Sequence, residues 1–145
     1  MFLGVYRYQM DEKGRVPLPR SLRRKSGGRV IAVKGRDGCI EVHPESNFKK
    51  ITDGLKKQLP KSSDARRSLR FISLNAVAIT PDKQGRIAIQ PDNLRKHASL
   101  KKGTVVIVGM LDYVEIWALK VWQKIEGGEG IVKEAEAVAR AVTKK

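Results

Sequence analysis

Two short stretches carry the side chains best placed to do chemistry: Asp11-Glu12-Lys13-Gly14-Arg15-Val16-Pro17-Leu18 and Asp82-Lys83-Gln84-Gly85-Arg86-Ile87-Ala88-Ile89. Both read D-x-x-G-R-h-x-h, with h apolar. An Asp in such a stretch bonds its own backbone two residues on, and Gly supplies the positive φ of a tight turn. The Arg then stands just past a rigid turn, and its guanidinium can donate two bonds to guanine O6 and N7 in a major groove. On this reading Arg15 and Arg86 are base readers, with Lys13 and Lys83 assisting at the turns. The competing role for both arginines is an ion pair inside the module, with Asp11 and Asp82, and the two roles can be split between copies. Arg20, Arg23 and Arg24 suit phosphate contacts, which position a protein on DNA without specifying sequence. From Lys13 to Arg36 there are nine basic residues and no acid.

Chemistry other than binding finds little support. His43 and His97 are the only histidines, and neither lies near a second soft ligand in sequence. Cys39 is the single cysteine, and H-E-x-x-H, C-x-x-C and a phosphate-cradling P-loop are all missing. The expectation is no catalytic residue, no metal, no cofactor and no small-molecule substrate. Glu41 and Glu115 sit in apolar stretches at equivalent places. A buried carboxylate needs a partner, so a pairing within the repeat is expected, with an intersubunit bridge as the alternative. Phe48, Trp117 and Trp122 read as core or interface.

The chain as a whole is strongly cationic, with thirty Lys and Arg against fifteen Asp and Glu, a net +15 over 145 residues. Such a surface attracts polyanions. Nucleic acid, an anionic membrane face and an acidic protein are the candidates. The 41% apolar content argues against wholesale disorder. A lone cysteine fits a reducing compartment. Arg7 interrupts the first residues, which do not read as a signal peptide, and no apolar run approaches a membrane span. The expected location is cytoplasmic.

The elements that must position these residues follow from an internal repeat. After the D-x-x-G-R stretches, Pro19-Arg20-Ser21-Leu22-Arg23 matches Pro91-Asp92-Asn93-Leu94-Arg95, with Gln90 inserted in the second copy. Val30 to Gly35 aligns with Thr104 to Gly109, Glu41-Val42 with Glu115-Ile116, and Phe48 to Ile51 with Trp122 to Ile125. Val5 to Met10 and Ala76 to Thr80 read as strands, each followed by a turn and a second strand at Arg15 to Leu18 or Arg86 to Ile89. Each repeat therefore opens with a hairpin-like element. The Pro-x-x-Leu-Arg stretches start short helices. Val30 to Val33 and Val105 to Val108 are buried strands, followed by strands at Cys39 to Val42 and Tyr113 to Trp117. Pro44 to Leu59 reads as a helix with Phe48, Ile51, Leu55 and Leu59 on one stripe. Its counterpart begins at Lys120 to Ile125. Pro60 to Asp64 is polar and turn-rich. The division is a first module over 1–60, a linker over 61–68, a second module over 69–126 and a tail over 127–145, helical at Ile131 to Val142. About fifty residues are too few for a generous core, so two modules covering each other's apolar faces are favoured over separate beads.

The duplicated D-x-x-G-R-h-x-h with its following Pro and Leu-Arg resembles the AbrB-like swapped-hairpin DNA-binding domain. Two such copies in one chain resemble the MraZ family, supported by Arg66-Arg67-Ser68-Leu69-Arg70-Phe71 and Glu115-Ile116-Trp117. The resemblance covers roughly residues 1–125. It implies a mainly β, α+β fold of tandem modules interleaved as an intramolecular pseudo-dimer. It also implies a ring-shaped homo-oligomer and nucleoid association. It implies binding to double-stranded DNA at G-rich direct repeats upstream of the family's own cell-division and wall-synthesis gene cluster, and regulation of its transcription. An antitoxin-like protein of the same fold is the alternative, and an RNA-binding protein a weaker one, since RNA readers commonly stack bases on exposed aromatics.

Overall fold

In the computed structural model, residues 1–25, 28–90, 92–126 and 137–142 are described, with the side chains of 23–25, 92, 93 and 126 outside that description. The β-branched runs form strands as their composition demands. In chain order the elements are β1 (Val5–Met10), β2 (Arg15–Pro17), α1 (Arg20–Lys25), β3 (Val30–Lys34), β4 (Ile40–Pro44), α2 (Glu45–Gln58) and α3 (Ser63–Asn75). Then come β5 (Ala76–Ile79), β6 (Arg86–Ala88), α4 (Asp92–His97), β7 (Gly103–Gly109), β8 (Val114–Ala118) and α5 (Leu119–Glu126). The order strand, turn, strand, short helix, two strands, helix occurs twice. The extra residue Gln90 is absorbed before the second short helix, for α1 and α4 each begin one residue beyond their proline.

The strands form a six-stranded sheet in the order β1-β7-β8-β4-β3-β5 and a two-stranded ribbon, β2-β6. Reading the large sheet from either end gives the same pattern with the repeats exchanged. A pseudo-twofold axis therefore passes between β4 and β8, where Glu41 stands opposite Glu115, and between β2 and β6, where Val16 stands opposite Ile87. This is the tandem swapped-hairpin architecture, interleaved through the whole chain.

Three local expectations need correction. The opening hairpin of each repeat is not a paired hairpin: β1 pairs with β7 and β2 with β6, so each arm finds its ladder in the other repeat. The alignment of Val30 to Gly35 with Thr104 to Gly109 is one residue out. Val33 stands opposite Glu41 and Val108 opposite Glu115, so Val33 corresponds to Val108 and Val30 to Val105. Side chains alternate with period two, so only this register keeps both strands' apolar faces inward. The polar stretch read as a linker becomes helix at Ser63. The Ser62 side chain accepts a hydrogen bond from the Ala65 N–H at 3.1 Å and starts α3. Of the tail helix expected at Ile131 to Val142, residues 131–136 lie outside the described residues, and 137–142 are helical and exposed.

One apolar core serves both repeats. Val16, Leu18 and Leu22 meet Ile87, Ile89 and Leu94 between the ribbon and the large sheet, whose Val42, Ile107 and Ile116 close the layer. Each Leu or Ile buried there contributes about 1.5–3 kcal/mol. A smaller cluster of Cys39, Val106, Trp117 and Trp122 lies under α5.

Candidate nucleic-acid interface

The two D-x-x-G-R turns are built alike, bond for bond. The Asp11 carboxylate accepts from the N–H of Lys13 at 3.0 Å and of Arg15 at 2.9 Å through Oδ1, and from Arg15 Nε at 2.6 Å through Oδ2. Asp82 accepts from the N–H of Gln84 and Arg86 at 2.8 and 3.0 Å, and from Arg86 Nε at 2.9 Å. The backbone closes each turn, with Gly14 N–H donating to Asp11 O and Gly85 N–H to Asp82 O. Gly14 and Gly85 take φ of +75° and +78°, a region where a side chain is strained. Both aspartates have their pKa lowered from the usual carboxylate value. The backbone N–H of the arginine is the chief cause, followed by the guanidinium itself.

Each turn is then tied to the opposite repeat. Ile89 N–H donates to Gly14 O at 2.8 Å, and Leu18 N–H donates to Gly85 O at 3.0 Å. With β2 antiparallel to β6, Arg15 faces Ala88 and Arg86 faces Pro17. Strand alternation turns Val16 and Ile87 into the core and leaves both arginines on the outer face of the ribbon. Their side chains are 37% and 29% exposed, enough for a ligand to reach them. The aspartate bond engages Nε, and among the described residues the terminal guanidinium nitrogens of Arg15 and Arg86 take no partner.

The structure thus gathers Arg15 and Arg86 on one ribbon and shows each in the ion pair that was the competing role. Lys13 and Lys83 are exposed in the turns, at non-equivalent places: Lys13 is the second residue after its Asp, Lys83 the first. Arg20 is exposed at the start of α1. Arg23 and Arg24 lie on the α1 backbone, with side chains outside the described residues. Sequence reasoning missed Arg95. Its side chain lies against Gly14, so close that a Cβ on Gly14 would sit 2.9 Å from Arg95 Cδ. The signal was present, since Arg95 is the repeat counterpart of Arg23. Lys102 was also missed; its Nζ reaches Glu12 Oε1 at 3.1 Å beside the first turn.

Each internal glutamate has a partner within its own repeat, as expected. Glu41 accepts from His43 Nε2 at 3.0 Å. Glu115 accepts from Trp117 Nε1 at 3.1 Å and from the Cys39 thiol. Burial raises the pKa of Glu115 and of Cys39. Among the described residues no group of three or more His, Cys, Asp or Glu is placed to hold a metal ion. No helix among them is long and apolar enough to cross a membrane.

Comparison with known proteins agrees with this geometry. Residues 1–71 and 72–144 match the family model described as MraZ protein, a description that also carries the term antitoxin-like. The chain is 42% identical over 124 residues to a protein of Heliobacterium modesticaldum, covering 86% of this chain and 85% of that one. It is 41% identical over 127 residues to one of Natranaerobius thermophilus, covering 87% of each. A protein of Caldicellulosiruptor saccharolyticus is 39% identical over 134 residues, 92% of each. All three bear the name transcriptional regulator MraZ.

Proposed function

The chain belongs to the MraZ family, and from that premise we propose that it recognises direct repeats in double-stranded DNA upstream of its own cell-division and cell-wall gene cluster. DNA-bound regulation of transcription, not catalysis, is the work of the family. The observation that carries the finer reading is the β2–β6 ribbon, which sets two identical Asp-buttressed arginines on one outward face. An arginine held through Nε by a carboxylate is oriented before it meets a base and keeps its terminal nitrogens for guanine O6 and N7. Arg15 and Arg86 read bases, Lys13 and Lys83 assist, and Arg20, Arg23 and Arg24 contact phosphates.

Two features of the same chain support assembly into a ring. The large sheet has two unlike edges. At β1 the surface exposes Leu3, Val5, Tyr6 and Leu111; at β5 it exposes Phe71 and Leu74 from the end of α3. Unlike surfaces on identical chains that join head to tail form a ring when the rotation between neighbours closes. Neighbours in a ring face the same way, so their DNA boxes are direct repeats about 10 bp apart. A protein that acts on chromosomal DNA would reside at the nucleoid, in the cytoplasm. The antitoxin-like alternative needs a partner-binding segment in place of one DNA-binding copy, whereas both turns here are complete.

The test is a mobility-shift titration of the full chain on its own upstream DNA, with solution mass measured in parallel. Binding is expected to weaken steeply with salt, because phosphate contacts release counterions, and to fail when boxes are inverted or respaced by half a turn. Undiminished binding to the altered sites, or a monomer at working concentration, would overturn the ring-and-direct-repeat reading.

A further inference from the structure

The ribbon is nearly symmetric, whereas a direct repeat has a direction. β2 runs antiparallel to β6, so the two turns lie at opposite ends of the ribbon. Arg15 and Arg86, each held through Nε by its aspartate, present the same chemistry at both ends. Exchange of the ends about the pseudo-twofold axis leaves this pair unchanged in kind. Like readers related by a twofold axis select a palindrome, since the symmetry of the site mirrors that of the protein. A box with a direction needs a reader that differs between the two ends.

The difference lies at the turn tips. Lys13 and Gln84 occupy the same place, one residue before the glycine. The backbone N–H of each donates to Oδ1 of its aspartate, at 3.0 and 2.8 Å. Gly14 and Gly85 follow with φ of +75° and +78°. The two side chains thus leave matching backbones, both residues are exposed, and among the described residues neither side chain is engaged. Their chemistry differs. The Lys13 ammonium only donates, which suits the two acceptors of guanine, O6 and N7. The Gln84 amide both donates and accepts, which matches adenine, whose N7 accepts and whose N6 amino group donates. At the other tip position Glu12 is tied to Lys102 Nζ at 3.1 Å and Lys83 offers donors only. Neither matches adenine's adjacent donor and acceptor.

We propose that Gln84 reads an adenine beside the guanine read by Arg86, at the place where Lys13, beside Arg15, favours guanine, and that this difference gives each DNA box its direction. It rests on the base-reading role of the ribbon and names the residue that breaks the ribbon's symmetry.

The full chain is used to select its preferred site from randomised duplexes, and competition mobility shifts then measure each base substitution within that site. The pair read by Arg86 is the guanine whose replacement ceases to matter in Arg86→Ala. Next to it, the unaltered chain is expected to prefer A·T by about tenfold, the order of one bidentate contact. Gln84→Ala is expected to erase that preference and Gln84→Lys to move it to G·C, while every other pair in the box keeps its own. Lys13→Gln should bring the reverse change beside the guanine read by Arg15. The Gln84 backbone N–H, not its side chain, holds the turn, so both Gln84 variants are expected to keep the melting temperature. An adenine preference that survives Gln84→Ala and Gln84→Lys, or a neighbouring pair other than A·T for the unaltered chain, overturns the assignment to Gln84 while Arg86→Ala still loses its guanine. A guanine preference left whole in Arg86→Ala overturns the base-reading role of the ribbon itself.

Discussion

At the scale of single residues, the Asp–Arg pairs decide how the ribbon behaves. Arg15→Ala and Arg86→Ala are each expected to weaken specific DNA binding by about 1–3 kcal/mol, more than non-specific binding. Arg20→Ala should weaken both alike, since a phosphate contact carries no sequence information. Competition titrations with specific and random duplexes separate the two. Unfolding of the arginine variants with specificity intact would mean that the ion pair is purely structural. The same pairs set an acid limit. Asp11 and Asp82 are lowered from 3.8 in the folded chain, so the stability they contribute is present above that value. It is lost as pH falls through their lower folded values. Asp11→Asn, which keeps an oxygen acceptor but has no charge to titrate, is expected to flatten part of the acid unfolding curve measured by circular dichroism. An unchanged curve would assign the acid transition to other carboxylates.

At the scale of elements, the stretch between the repeats is the informative one. Its polar composition reads as linker, yet Ser62 caps a helix of thirteen residues, and the cap rests on a single side-chain bond. Ser62→Ala is expected to cost about 1 kcal/mol, read as a lower urea midpoint with unchanged slope. A loss below a few tenths would mean that packing against α2 alone holds α3. The Gly14 turn illustrates a different dependence. Its conformation could be read from the D-x-x-G pattern, but the reason no side chain fits there, the Arg95 chain lying across it, comes from α4 of the other repeat.

At the scale of the whole molecule, the interleaving governs folding. In the first repeat, β1 and β2 have no partner strand of their own, since their ladders are β7 and β6. Residues 1–60 expressed alone are therefore expected not to fold as a monomer. Either the fragment stays unfolded, or two copies pair and restore the missing ladders. Sedimentation together with circular dichroism checks this, and a cooperatively folded monomer would contradict it. The net charge of +15 acts at this scale as well, since it draws polyanions toward the chain from any side.

What the amino-acid order determined by itself is everything that depends on near neighbours. The duplicated turns, the position of each arginine just past its glycine, the strand runs and the amphipathic α2 all follow from local φ preferences, Asp-to-backbone bonds and side-chain period. The repeat even announced two modules covering each other. The tertiary structure decided which strands pair, the one-residue shift of β3 against β7, the seat of Arg95 against Gly14, and the pairing of each ribbon arginine with its own turn's aspartate. These were not legible because backbone ladders carry no sequence label. Any of several β-branched strands could hydrogen-bond to any other, and only the joint burial of Val16, Ile87 and their neighbours selects one arrangement.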